Sequence, residues 1–238
     1  MRALIFAAGR GERMRPLTLH TPKPLLEAGG KPLIVWHLER LAHAGVEEVV
    51  INTAHLAERF PAVLGDGSLW SLRIHYSNEG AEPLETGGGM LHALPLLGED
   101  PFVVVNGDVF CDIDLAELSR QRVDLAHLVM VPPPDFAPQG DFHLDTAGRL
   151  HDHGEAKLTY AGIGLYSPEV LRDWETVFPE QASAGTPRFR IAPLLRRGMD
   201  AGRVTGVEHD GRWTDVGTPE RLRALDQSLR GGSSVPTQ

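Results

Sequence analysis

Short apolar runs alternate with segments of helical period along the first half of the chain, and this alternation restricts the fold more than any other feature. Residues 3–7 form an apolar run that breaks at Gly9, which predicts a buried strand. Leu33, Ile34, Leu38 and Leu41 then recur at helical spacing, and the run stops at Gly45. Residues 49–52 predict a second strand, 56–64 a helical stretch, 73–77 a strand, 86–97 a third helix and 102–106 a further buried strand. Strands separated by helices need crossover connections, so the expected fold class is α/β, with a mixed, mainly parallel sheet flanked by helices. Such sheets bind ligands beyond the carboxyl ends of their strands. The residues after Ala7, Ser77 and Asn106 are therefore expected on one rim.

The second half is less regular. Residues 125–131 predict another buried strand that ends at Pro132, while 140–150 and 158–166 read as antiparallel strands or hairpin arms. Ser167-Pro168-Glu169 and Thr218-Pro219-Glu220 each set a cap residue, a proline and an acid at a helix start, and 191–199 reads as a helix. The expected organisation is one domain over 1–230, with halves at 1–124 and 125–230, and a flexible tail over 231–238. At 238 residues the chain is long enough for a core of its own. A single cysteine, Cys111, excludes an internal disulfide and fits a reducing, cytoplasmic setting. No run of about 18 apolar residues argues for a membrane span, and residues 1–7 are too short for a secretory leader. The formal net charge of −9, with no basic stripe, argues against a nucleic-acid partner. Phosphorylated small molecules remain compatible if cations are concentrated locally.

They are concentrated between Ala7 and Leu26. There a glycine turn after the first strand, Gly9-Arg10-Gly11, is followed by Arg13, Arg15 and a lysine held between Pro22 and Pro24. Bare amides in such a turn can point at an anion, and the flanking prolines limit the backbone at Lys23. A dinucleotide fingerprint fails, because Met14 stands where glycine is needed and Asn52 and Thr53 end the second strand where an acid is needed. A Walker loop fails for want of Lys-Ser or Lys-Thr after its last glycine. Asp108 follows the apolar run 102–105, where an α/β enzyme places a metal ligand; on spacing alone, a turn or cap role is equally compatible. Asp215, in Trp213-Thr214-Asp215-Val216-Gly217-Thr218, read by itself is a turn residue.

Together the strings Ala8-Gly9-Arg10-Gly11-Glu12-Arg13, Pro16-Leu17-Thr18 and Pro22-Lys23-Pro24-Leu25 resemble the signature of the sugar nucleotidyltransferases. The resemblance runs over most of the chain and is strongest before Asp108. It implies a Rossmann-like nucleotide-diphospho-sugar transferase fold with a small antiparallel, sugar-binding region. It implies nucleotide contacts at Ala8, Gly9, Gly11, Glu12 and Arg13, and a Lys23 that bridges the phosphates around the bond that breaks. Asp108 and Asp215 fall on the family's magnesium ligands, so Mg2+ is the implied cofactor and Arg13, Lys23 and Asp108 the implied catalytic set. The segment Glu85-Thr86-Gly87-Gly88-Gly89 resembles the family's wall against the base, with Glu85, Gly87 and Gly88 as contacts and Ser77 beside them. On the sugar-phosphate side the implied residues are Asn106, Asp141, Glu155 and Arg190. Glu155-Ala156-Lys157 departs from the family's Glu-Lys-Pro. His151-Asp152-His153 receives no metal role.

The implied partners are a nucleoside triphosphate and a sugar 1-phosphate, handled by a monomer or small homo-oligomer. His20-Thr21-Pro22-Lys23-Pro24 and Leu84-Glu85-Thr86-Gly87-Gly88-Gly89 resemble most the members that join UTP to N-acetylmuramate 1-phosphate in cell-wall sugar recycling. Guanylyl or thymidylyl transfer to mannose or glucose 1-phosphate is the alternative. A non-catalytic sensor of the same fold would be expected to lack Lys23 or an aspartate, and all three are present.

Overall fold

The computed structural model describes residues 1–231. Strands β1 (Arg2–Phe6), β2 (Glu48–Thr53), β3 (Arg73–Asn78) and β4 (Phe102–Asn106) run parallel to one another, as the alternation requires. A short strand β5 (Val109–Cys111) follows the turn after β4. The second half adds β6 (Ala126–Val131), β7 (Thr159–Tyr166) and β8 (Val204–Glu208) to the same sheet. Its seven strands lie in the order β8-β6-β7-β4-β1-β2-β3. Only β7 is antiparallel, to β4 on one side and β6 on the other, while β8 runs parallel to β6. The sheet is thus mixed and mainly parallel, with both halves of the chain woven into it.

Period-two alternation divides the apolar side chains between two layers. Ala3, Ile5, Val49 and Ile51 face one side and pack with Ile34, Leu38 and Leu41 of helix α1 (Leu33–His43). Leu4, Val50 and Val104 face the other and meet Met90, Ala93 and Leu97 of α2 (Glu85–Leu97), with Leu194 and Leu195 of α3 (Ala192–Asp200) in the same layer. A third cluster gathers Met14, Phe110 and Val216 under Leu222 and Leu225 of α4 (Pro219–Gly231). Strand β9 (Trp213–Asp215) pairs antiparallel with β5, setting Asp215 opposite Val109.

The second half resolves what its sequence left open. Of the two segments read as antiparallel strands or hairpin arms, Thr159–Tyr166 is an antiparallel inner strand of the main sheet, and His143–Leu144 with Leu150–His151 makes a hairpin. Strand β8 has no counterpart in the sequence reading, because Thr205, Gly206 and Glu208 interrupt its apolar run. Of the tail expected over 231–238, Gly231 is the last residue of α4, and residues 232–238 lie outside the described residues. Among the described residues no helix is long and apolar enough to cross a membrane.

Phe189 connects this architecture to the cleft described below. Its ring stacks on Trp174 at 5.0 Å and on Phe178 at 4.6 Å, and its carbonyl receives the Gly87 and Gly88 N–H groups at 2.9 and 3.0 Å. Phe189→Ala is expected to lower unfolding stability by about 3–5 kcal/mol, the usual range for an aromatic core truncation, as read from urea denaturation.

Candidate active site

The carboxyl ends of β1, β2, β3 and β4 open into a cleft of about 520 Å³. Its lining includes Ala8, Gly9, Gly11, Glu12, Arg13 and Lys23 from the first loop, Glu85 and Thr86 from the start of α2, and Asn106 and Asp108 after β4. The rim expected from the sequence is therefore a single continuous cavity.

The glycine loop has its own logic. Gly11 adopts φ +61°, and a Cβ there would stand 2.8 Å from Thr18 Cγ2 and 3.3 Å from Lys23 Cβ. Thr18 is buried and its hydroxyl donates to the Gly11 carbonyl at 2.8 Å. Gly11 is thus fixed by left-handed backbone and by crowding. Gly9 differs: a Cβ there would meet no protein atom within 4 Å, so the space beside it is open to a ligand. Arg13 lines the cleft and has no hydrogen bond or ion pair among the described residues.

The turn Lys23–Leu25 sends the Lys23 side chain, only 9% exposed, toward two carboxylates. Its Nζ lies 2.6 Å from Asp108 Oδ2 and 3.9 Å from Asp215 Oδ1. Asp108 sits in the turn between β4 and β5, and the Val216 N–H donates to its carbonyl at 2.9 Å. That bond continues the β5–β9 pairing, so a two-stranded ribbon delivers Asp215 to Asp108. The Trp213 indole N–H donates to the Ala161 carbonyl at 2.9 Å and ties the ribbon to β7. Arg221 Nη1 lies 3.3 Å from Asp215 Oδ2, and its guanidinium covers the exposed Phe136 ring at 4.0 Å. Gly162, at φ +75°, permits Asn106 to lie against β7, where a Cβ would approach Asn106 Nδ2 to 2.5 Å.

Across the cleft Glu85 occupies left-handed backbone, φ 64°, a strained conformation for a side-chain-bearing residue. Arg188 and Arg190 approach its carboxylate at 3.7 and 3.4 Å. Arg188 lines the cleft and Arg190 does not. Gly87 and Gly88 are buried; their N–H groups are engaged by Phe189, and added Cβ atoms would stand 2.5 Å from its ring and 2.4 Å from the Pro187 carbonyl. These two glycines admit the 187–189 segment, and their amides are not left open for a base. Ser77 is buried beside Asn52 in the sheet. Asp141 accepts the Tyr160 N–H at 2.9 Å and fastens its own turn to β7, while Glu155 is exposed. Ser77, Asp141 and Glu155 all lie outside the cleft lining.

Sequence reasoning passed over Asn52 and Glu79, which are buried and line the cleft. Asn52 entered only as the residue that excludes a dinucleotide fold. Glu79 follows β3 at the carboxyl rim, and the same strand-end argument that singled out Asp108 applies to it.

Comparisons with known proteins identify the family and the fold. Residues 2–230 match the nucleotidyl transferase family. The chain belongs to that family. It is 48% identical over 238 residues to an N-acetylmuramate alpha-1-phosphate uridylyltransferase of Neisseria meningitidis serogroup B, covering 97% of this chain and 99% of that protein. A protein of the same description from Caulobacter vibrioides is 37% identical, with 95% and 96% covered. A mannose-1-phosphate guanylyltransferase of Mycobacterium tuberculosis is 43% identical, over 98% of this chain and 66% of that protein. In fold, this nucleotidyl transferase is similar to a putative glucose-1-phosphate thymidylyltransferase from Bacillus anthracis, with a TM-score of 0.80 at 20% identity over all of this chain and 98% of that one.

One buried histidine carries a pH prediction. His37 on α1 is enclosed, and its Nε2 lies 2.8 Å from the Val109 carbonyl beside Asp108. Burial, and then Arg40, lower its pKa from 6.5 to about 4. As pH falls from 6.5 toward 4, the unfolded chain takes up a proton that the folded protein refuses. Stability is lost through that window, by up to about 3 kcal/mol from this residue. His37→Gln should flatten that segment of the stability–pH curve, measured by urea unfolding from pH 7 to 4.

Proposed function

We propose that this nucleotidyl transferase joins UTP and N-acetylmuramate 1-phosphate to give UDP-N-acetylmuramate and pyrophosphate, as a magnesium-dependent cytoplasmic enzyme of cell-wall sugar recycling. The observation that carries the chemistry is the meeting of Lys23, Asp108 and Asp215 at the end of a glycine-lined cleft. The choice of substrates is supported by similarity, along almost their whole lengths, to two proteins named for that pair. Guanylyl transfer to mannose 1-phosphate is the second reading, favoured by the similarity to the mycobacterial protein.

The two aspartates fit a divalent cation. One ammonium group already contacts an oxygen of each, so a single small cation can reach both. Two hard carboxylate oxygens leave the remaining positions to water and phosphate oxygens, as magnesium prefers. When bound there, magnesium supplies charge neutralisation at the α-phosphate and a template for the attacking oxygen.

In this reading the triphosphate lies along Gly9 and Gly11, and Arg13 is free to meet it. Lys23 turns from Asp108 to the phosphate oxygens. Arg10 and Arg188 are held only by exposed pairs with Glu82 and Glu85; pairs of that kind contribute about 0–1 kcal/mol and exchange readily for phosphate. The acceptor phosphate, with a second pKa of about 6, is mostly dianionic at pH 7 and needs no protein base. Its oxygen forms a bond to the α-phosphorus as the α–β bridging bond breaks, and pyrophosphate leaves with the electron pair. The chain contributes position and charge stabilisation.

Pyrophosphate release with UTP, Mg2+ and N-acetylmuramate 1-phosphate, run beside GTP with mannose 1-phosphate, tests the reading. Turnover confined to the first pair is expected; turnover confined to the second would keep the chemistry and replace the substrates. UTP binding with no release in either pair would favour a sensor. Asp108→Asn should lower kcat by about a hundredfold or more while changing UTP affinity far less. Equal losses in both would remove Asp108 from the transition state.

A further inference from the structure

The cleft has two walls that come from separate parts of the chain. One is the loop after β1, beginning at Ala7, and the other is the segment from Leu84 into α2. A three-bond chain of buried groups spans them. The Ala7 N–H donates to Asn52 Oδ1 at 2.6 Å, Asn52 Nδ2 donates to Glu79 Oε1 at 2.6 Å, and the Leu84 N–H donates to Glu79 Oε2 at 2.7 Å. Asn52 is 2% exposed and Glu79 8%. Gly89 leaves room for the pair, since a Cβ there would stand 2.4 Å from Glu79 Oε1 and 2.8 Å from Asn52 Nδ2. The Glu79 N–H is fixed in turn by the Thr53 carbonyl at 2.8 Å.

Filling this space needs no carboxylate. Burial pushes the Glu79 carboxyl up, against the bonds from Leu84 and Asn52, and no ion pair to it exists among the described residues. A buried acid held only by neutral donors is costly unless its directional bonds are themselves the purpose. Here each carboxylate oxygen serves a different partner, and the two partners lead to opposite walls. We infer that Glu79 and Asn52 are positioning residues that lock the triphosphate loop to the opposite wall, so that a nucleoside triphosphate is gripped by one rigid unit. The inference builds on the nucleotidyl-transfer reading above.

The polarity of the chain supplies its test. In Glu79→Gln the side chain keeps a carbonyl on the Leu84 N–H only by turning its amide NH2 toward Asn52 Nδ2, donor against donor. In Asn52→Asp two carboxylates face each other. Combining both substitutions restores one donor and one acceptor in reversed order, and leaves acceptors for the Ala7 and Leu84 N–H groups. Each single variant is expected to weaken UTP binding and raise KM for UTP by about tenfold or more, with the acceptor KM nearly unchanged. The double variant should recover to within about threefold of the parent.

Titration calorimetry with UTP, and separately with GTP, measures affinity; pyrophosphate release measures kcat and both KM values; thermal unfolding controls for folding. Single variants with parental UTP affinity would overturn the inference. So would a double variant that regains its melting temperature while nucleotide affinity stays impaired. A single variant that fails to fold leaves the decision to the double variant, whose bonds are complete. A parent that binds UTP yet transfers nothing to N-acetylmuramate 1-phosphate would defeat the substrate reading, while the affinity comparison still judges the bridge.

Discussion

Asp108 and Asp215 come from opposite halves of the chain and carry the same charge, and a single buried ammonium holds them together. Much of the structure answers to that arrangement. The prolines on either side of Lys23 stiffen its approach, Gly11 makes room beside its Cβ, and the β5–β9 ribbon carries Asp215 across to Asp108. A lysine shut away from water keeps its charge at low cost only beside carboxylates, and the carboxylates tolerate each other only beside a cation. Arg221, on the other oxygen of Asp215, adds the second cation, so two carboxylates face two positive groups. Any cation or anion entering between these groups has to exchange with an existing pairing.

The parallel half of the fold was legible because most of its strands carry a short apolar run punctuated by glycine or by polar residues at the rim. Val103, Val104 and Val105 can only be a buried strand in such a setting. The second half hid its order for physical reasons. In β7 the run is broken by Gly162, which serves the Asn106 side chain, and by a register shift between Tyr160 and Gly164. In β8 the strand follows from pairing with β6, since its own residues alternate weakly. Edge strands that rely on a neighbour leave little trace in local sequence.

The candidate site divides in the same way. Ala8 to Arg13, Lys23, Asp108 and Asp215 were singled out by resemblance to a family motif, and the structure brings Lys23, Asp108 and Asp215 together. Asn52 and Glu79 were passed over: the strand-end position of Glu79 could have flagged it, but its bond to Asn52 on the neighbouring strand has no linear signature. Gly87 and Gly88 were noticed for the right reason, absence of a side chain, but the close neighbour they admit is Phe189 of the same protein. Arg188 and Arg190 are two residues apart and both reach Glu85, so only the three-dimensional arrangement separates the one that faces the cleft.

β7 joins β4 to β6 by antiparallel pairing on both of its edges, so strands from the two halves share one hydrogen-bond ladder. The two halves are not separate modules. Exchanging the whole second half between relatives would break the pairing of β7 with β4 and open the core beneath it. Changes that the sheet tolerates are therefore confined to the connections that leave its strands. The sheet itself is inherited as one indivisible piece.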